Sequence, residues 1–213
     1  MDYMKLSDYD DAMRTHFWGP LYFMLAVLPH MRRQGGGRIV NISSIGGRIA
    51  VPHLLPYSAS KFALTGLSDG LRAELAHDRI VVTTVCPGLM RIGSPINAAF
   101  KGQRRQEYAW FAIASSLPLM AISAERAGRQ ILDACRRGDA ELVLTVQAKL
   151  AVLARTIAPE LFSGVMSLVH SVLPRAVGAE GDVAEPGRSV GSEWAPSAVL
   201  APMYAAAEKN NEL

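Results

Sequence analysis

The chain has 213 residues, half of them hydrophobic, with a formal net charge of +3 and two cysteines. That length buries the core of one globular domain, and that balance of apolar and charged residues excludes a disordered chain. The arginines occur as scattered pairs (Arg32-Arg33, Arg104-Arg105, Arg136-Arg137) rather than one basic stripe, which argues against nucleic-acid binding, while Cys86 and Cys135 form no disulfide framework and fit a reducing, cytoplasmic compartment.

From Met1 to Asp8 there is no charged-then-apolar signal pattern. Ser7 to Asp11 reads as a helix start, with carboxylates near the positive end of the dipole. Met13, Phe17, Leu21, Met24, Leu25 and Leu28 then recur as a helical stripe that runs through Arg33. Gly35-Gly36-Gly37 follows a helix and opens a strand. A phosphate-cradling glycine loop does the reverse, so this run reads as a C-cap and turn.

Arg38 to Ile42 is a short apolar run closed by Ser43-Ser44, the pattern of a buried strand. Gly46-Gly47, Pro52 and Pro56 mark a loop, and a helix follows from Tyr57 to His77, with Ala63, Leu67, Leu71 and Leu75 along one side. Arg79 to Cys86 is a second, β-branched strand that ends at Pro87-Gly88. Strand, helix, strand predicts a parallel sheet with right-handed crossovers.

Residues 94–120 read as irregular or short helix, with Phe100, Tyr108, Trp110 and Phe111 either packing or touching substrate. Ser123 caps a helix to Arg137, Gly138-Asp139 turns, and Ala140 to Thr145 is a third strand. Residues 146–173 form one or two amphipathic helices broken near Pro159. Lys149, Arg155, Glu160 and His170 interrupt them, so no apolar run of ~18 residues spans a membrane. Their stripe fits packing on the sheet, or a subunit partner, better than a membrane surface. Residues 175–198, rich in Gly, Glu, Pro and Ser, read as a surface loop or partly disordered tail, and Leu200 to Glu208 as a short helix. The expected organisation is one domain over 1–174 and a loop and tail over 175–213.

Tyr57 and Lys61 are four residues apart and share a helix face, and Ser44 ends the preceding strand. An ammonium group one turn away favours a phenolate and lowers the tyrosine pKa. A serine hydroxyl hydrogen-bonds a carbonyl or alcohol oxygen, so the three can move a proton on or off an alcohol. No His/Cys cluster has metal-ligand spacing, so no metal is expected.

Asn41-Ile42-Ser43-Ser44, Tyr57-Ser58-Ala59-Ser60-Lys61, and Pro87-Gly88 after Val81 to Val85 occur in order, and with them the chain resembles the short-chain dehydrogenase/reductase family from about Tyr9 to about Thr145. The resemblance implies an α/β, Rossmann-like parallel sheet with flanking helices and an NAD(P)-dependent oxidoreductase that interconverts a secondary alcohol and a ketone. In that reading Tyr57 is the acid/base, Lys61 lowers its pKa and holds the ribose, and Ser44 orients the carbonyl. Tyr57, Lys61, Pro87, Gly88 and Met90 would contact NAD or NADP. Apolar residues around the site, among them Ile45, Val51, Leu54, Leu55, Leu89 and Ile92, favour a small hydrophobic substrate. Helices 9–33 and 57–77 match those through which family members pair, implying a homodimer or homotetramer.

The family's glycine-rich turn, its NAD-or-NADP selecting residue and its Asn-Asn-Ala-Gly segment are not found. By resemblance the chain begins after the fourth of seven strands and keeps the fifth, sixth and seventh. His16 stands where the family has an asparagine whose main chain serves a water-linked proton relay; it either adds a titrating group or packs as a neutral ring, and packing is the favoured reading. Ile92 stands where the family has a threonine, with Ser94 nearby as a substitute. The alternative function is a non-catalytic remnant or interaction protein unable to bind the dinucleotide.

Overall fold

A computed structural model describes residues 3–175, 179–191 and 193–213. The chain divides into two compact units, one of residues 5–88 and 128–166, the other of residues 1–4, 89–127 and 167–213.

The first unit opens with α1 (Leu6–Met13), where the Asp8 carboxylate accepts the Lys5 main-chain N–H at 2.7 Å. The helix widens into a π turn over Arg14–Trp18 and continues as α2 (Gly19–Arg33). Pro20 accounts for the widening: it has no N–H to return to the His16 carbonyl, and the Gly19 N–H reaches back five residues to Arg14 instead. Met24 and Leu28 of α2 are buried with Ile39, Leu75, Ile80 and Val82. Gly35 and Gly36, both at positive φ, close α2 as expected, and a side chain on Gly36 would meet the Arg79 carbonyl at 2.7 Å.

Strand β1 (Gly37–Ile42) leads through a short 3₁₀ turn, Ile45–Gly47, to α3 (Leu55–Glu74) and β2 (Ile80–Cys86). β1 and β2 are parallel, with Gly37 opposite Ile80 and Ile42 opposite Val85. The expected stripe of α3 packs, with Leu75 buried and Leu67 and Leu71 against the same core, and the buried face is wider than that stripe. That face also carries Ser60, Leu64, Thr65 and Ser68, while Ala63 is only half-buried. Two of the hydroxyls answer polar groups on and just after β1: Asn41 Nδ2 donates to Ser68 Oγ at 2.7 Å, and Ser43 and Thr65 share a hydrogen bond at 2.8 Å. Gly47 lets the loop lie on α3, since a Cβ there would meet Ser43 Oγ at 2.6 Å and the Lys61 carbonyl at 2.7 Å.

The chain then enters β3 (Leu89–Arg91), α4 (Ser94–Asn97), β4 (Ala99–Phe100), α5 (Arg104–Ser116) and β5 (Ala121–Ser123). These belong to the second unit. β3 and β5 pair in parallel. The 94–120 stretch is thus more regular than expected, with thirteen residues of α5 at its centre. Its aromatics mostly pack: Phe100 and Tyr108 are buried and Phe111 lies against them, whereas Trp110 is exposed. Helix α6 (Ala124–Arg137) starts at Ser123, whose Oγ accepts the Arg126 N–H at 3.4 Å.

Strand β6 (Glu141–Val143) pairs parallel with β2 and gives the sheet order β1-β2-β6. The outer edge of β1 has no strand partner among the described residues. Arg72 of α3 donates to the carbonyls of Val82 at 2.6 Å, Gly138 at 2.8 Å and Asp139 at 3.4 Å. Thr145 caps α7 (Val146–Ile157), and α8 (Pro159–Val172) follows. The α7 stripe is not packed on the sheet. Val146, Leu150, Leu153 and Ile157 are exposed, because the helix seats its opposite side through buried Ala148 and an Arg155–Phe62 cation–π contact at 5.7 Å.

In the second unit a 3₁₀ turn at Ala179–Asp182 precedes β7 (Glu185–Pro186), α9 (Gly187–Val190) and α10 (Ser197–Lys209). β7 pairs antiparallel with β4. Where sequence composition suggests loop, small residues serve close approach: a Cβ on Gly187 would fall 1.9 Å from the Pro95 carbonyl oxygen, and Ala195 is buried. Of the segment read as a tail, residues 176–178 and 192 lie outside the described residues, as do Met1 and Asp2 at the N-terminus. Ile96, Phe100, Tyr108, Leu200 and Met203 form this unit's core.

Candidate active site

β1 ends at the carboxyl edge of a parallel sheet, where ligand sites of open α/β sheets lie. Ser44 follows it in extended backbone and caps the 3₁₀ turn, its Oγ accepting the Gly46 N–H at 3.0 Å. That bond leaves the hydroxyl hydrogen for another acceptor. The Ile45 N–H donates to the Pro87 carbonyl at 2.7 Å, which fastens this turn to the end of β2.

Tyr57 stands in the first turn of α3, half-buried, with its ring beside Gly46: a Cβ at Gly46 would lie 3.0 Å from Tyr57 Cε1. Burial pushes the phenol up from its ordinary pKa, and a hydrogen bond with the Ser44 side chain opposes that shift. This departs from the sequence expectation of a lowered value. Burial is the chief reason, and the Lys61 Nζ, 5.7 Å from the Tyr57 ring centroid, is engaged with the Ile42 carbonyl at 3.1 Å. Lys61 is itself pulled down by burial.

His16, from the π turn, meets Tyr57 edge-to-face with centroids 5.2 Å apart and planes at 85°. Its Nδ1 lies 3.0 Å from Ser60 Oγ. Burial, and then the neighbouring Lys61 charge, lower its pKa to about 4, so the ring is neutral at physiological pH and packs. Sequence reasoning placed His16 in the helix but not against Tyr57; Pro20, four residues on, was the available sign of an irregular turn.

The structure thus brings Ser44, Tyr57 and Lys61 together in the first unit, with Pro87 and Gly88 at the end of β2. A Cβ on Gly88 would meet Thr145 Oγ1 at 2.9 Å. Met90 lies on β3 of the second unit, opposite Ile122. Ile92, also there, gives its N–H to the Met90 carbonyl at 3.1 Å, and Ser94 opens α4. Cys86 is buried and its thiol is pushed up to about 12, chiefly by burial, which keeps it protonated and inert. Among the described residues no group of His, Cys, Asp and Glu could hold a metal ion, and no helix is long and apolar enough to cross a membrane.

A nicotinamide dinucleotide needs a site at each end. By the family resemblance Tyr57, Lys61 and the Pro87-Gly88 turn would meet the nicotinamide end. The pyrophosphate end is not matched among the described residues: Gly35 to Gly37 close a helix, and the space a Cβ would take at Gly47 is filled by Ser43, Lys61 and Thr65 atoms.

The first unit is thus an α/β layer with a parallel sheet and a cluster of serine, tyrosine and lysine at the carboxyl end of its first strand. The short chain dehydrogenase family model matches residues 1–104. SadH from Mycobacterium tuberculosis is 36% identical over 159 residues, 73% of this chain and 56% of its own length. The crystal structure of a short-chain dehydrogenase from Streptomyces avermitilis aligns with a TM-score of 0.63 at 27% identity, covering 81% of this chain and 65% of that one. That of a short chain dehydrogenase from Burkholderia cenocepacia, in complex with NADP, aligns at 0.56 with 25% identity, covering 72% and 56%. The chain belongs to the short-chain dehydrogenase/reductase family. It spans about half the length of the curated relatives it matches, 56% of SadH and 47% of the mouse dehydrogenase/reductase SDR family member 7B.

Proposed function

We propose that this chain carries the acid–base centre of an NAD(P)-dependent oxidoreductase that interconverts a secondary alcohol and a ketone on a small hydrophobic substrate. The observation that supports it is the Ser44–Tyr57–Lys61 cluster at the carboxyl end of β1. When bound, the nicotinamide dinucleotide supplies or accepts the hydride. In the reducing direction the raised Tyr57 phenol, protonated at neutral pH, gives its proton to the carbonyl oxygen as hydride adds to the carbon. The C=O π bond breaks, C–H and O–H bonds form, and Tyr57 is left as phenolate. Ser44 donates its hydroxyl hydrogen to the same oxygen. Lys61 stabilises the phenolate by leaving the Ile42 carbonyl for it. Tyr57, Lys61, Pro87 and Gly88 would hold the nicotinamide end of NAD or NADP, and the assignment of Met90 rests on the family alone. The exposed Leu54 and half-buried Ile45, Val51 and Leu55 around the loop support an apolar substrate.

Replacing Tyr57 by Phe is the test: turnover on a panel of lipophilic ketones falls ~10²–10⁴-fold with the fold intact. Turnover within a factor of about three of the parent rules Tyr57 out as the acid.

The absence of a pyrophosphate cradle among the described residues favours a second reading, a non-catalytic family member that assembles but does not hold the dinucleotide. Calorimetry separates the two. Dissociation constants of about micromolar for NADP(H) or NAD(H) support the enzyme, and no heat at millimolar ligand supports the second reading (about 4 kcal/mol apart). In either case the exposed aromatic face of α2, with Tyr22 and Phe23, supports a homodimer or homotetramer. A monomer by light scattering at micromolar concentration rules that out.

A further inference from the structure

We infer that His16 is a positioning residue for Tyr57, holding its ring by edge contact and its backbone through Ser60, in the uncommon neutral tautomer with the proton on Nδ1. The inference rests on the reading of Tyr57 as the acid, and its first test does not.

Ser60 supplies the argument. Its hydroxyl has one hydrogen, and the Tyr57 main-chain carbonyl 2.8 Å away can only accept, whereas His16 Nδ1 can donate or accept, so both contacts are hydrogen bonds only if Ser60 donates to the carbonyl. Ser60 is wholly buried, so no solvent competes for that hydrogen. Toward His16 Nδ1, 3.0 Å away, Ser60 Oγ is therefore the acceptor, and Nδ1 carries the proton. The ring is neutral in this setting, which leaves the lone pair on Nε2. A chain of donors then runs from His16 through Ser60 to the backbone of Tyr57 itself.

The same ring bounds the Tyr57 phenol. It meets it edge-to-face at 5.2 Å, and Gly46 also lies beside the phenol ring, where a Cβ would come to 3.0 Å of Tyr57 Cε1 and press on it. One residue thus constrains both the side chain and the main chain of Tyr57, and through them the direction of the phenol toward Ser44. The backbone that permits this is the π turn ahead of Pro20. An asparagine at position 16 has a donor but no ring, and a phenylalanine has a ring but no donor, so the two functions separate by substitution.

The test uses the full chain labelled with ¹⁵N in its histidines. Long-range nitrogen–proton correlation spectra at neutral pH give the His16 tautomer: a protonated Nδ1 is expected, reverting to protonated Nε2 in Ser60→Ala. A protonated Nε2 in the parent overturns the inference. The second readout is the ultraviolet titration of Tyr57, taken as the difference between each protein and the same protein carrying Tyr57→Phe. His16→Ala opens the phenol to water and lowers its midpoint by about one pH unit. His16→Phe restores the midpoint, and His16→Asn restores it in part. An unmoved midpoint in a folded His16→Ala protein overturns the inference. If His16→Ala does not fold, the Phe and Asn variants carry the comparison, and equal midpoints in both at the parent's value have the same adverse meaning. With turnover measurable, His16→Ala lowers kcat about tenfold and changes KM less than twofold. Failure of Tyr57→Phe to reduce turnover strikes the proposed reaction and leaves the tautomer result standing.

Discussion

In the unit that carries the sheet, Asn41, Ser43, Ser60, Thr65 and Ser68 are buried, and each is paired with another group of that unit. The unit built on α5 and α10 closes instead on Phe100, Tyr108, Leu200 and Met203. The two buried side-chain atoms without a hydrogen-bond partner among the described residues, Arg91 Nε and Ser115 Oγ, both lie in this second unit. The first interior adds to its apolar core a set of donors and acceptors that must meet, whereas the second, apart from the Tyr108–Tyr204 hydroxyl pair, is closed mainly by apolar volume. The acid–base cluster belongs to the first kind, where direction is fixed as well as distance.

The largest effect that sharpens this contrast comes from volume. Met203→Ala in the second core opens a cavity beside Tyr108 and Leu200 and costs ~2–5 kcal/mol in chemical denaturation. A loss below about 1 kcal/mol shows that this core tolerates vacancy. Next is pairing. Ser68→Ala removes little volume but leaves Asn41 Nδ2, among the described residues, with the Met24 sulfur 3.3 Å away, and costs ~1–3 kcal/mol. A neutral result erases the distinction between the two interiors. The smallest effect has the opposite sign: Ser115→Ala deletes a buried unpaired hydroxyl and stabilises the protein by about 1 kcal/mol. Destabilisation of that size means that Ser115 has a partner in solution.

The same contrast explains what could be read in advance. β1, α3 and β2 were legible because parallel strands in a sheet's middle are apolar runs, and because Ser44, Tyr57, Lys61 and Pro87-Gly88 fall at their junctions. The cap at Gly35 to Gly37 and the start of α6 at Ser123 follow from local chemistry alone. The apolar stripe of α3 was legible but not the polar part of its buried face, because Ser60, Thr65 and Ser68 count as polar in any periodicity, while His16, Ser43 and Asn41, with which they pair, are distant in sequence. β3, β4, β5 and β7 have two or three residues each, too few for a period to register. The outward stripe of α7 has the same spacing as an inward one. The direction of the Tyr57 shift depended on desolvation and on where Lys61 points, and neither is written in a spacing of four.

Arg72 ties three carbonyls of different segments to one guanidinium, on β2 and on the turn before β6. Lifting β6 from β2 strips two of those acceptors from a group that cannot shed its charge. The end of α3 therefore senses the detachment of a strand that follows it by more than sixty residues. In deuterium-exchange language, the amides of β6 and of the last turns of α3 belong to one opening event, with a common free energy and a common response to denaturant. An apparently short third strand is thus expected to exchange as slowly as the helix that anchors it, which deuterium exchange of the two segments checks.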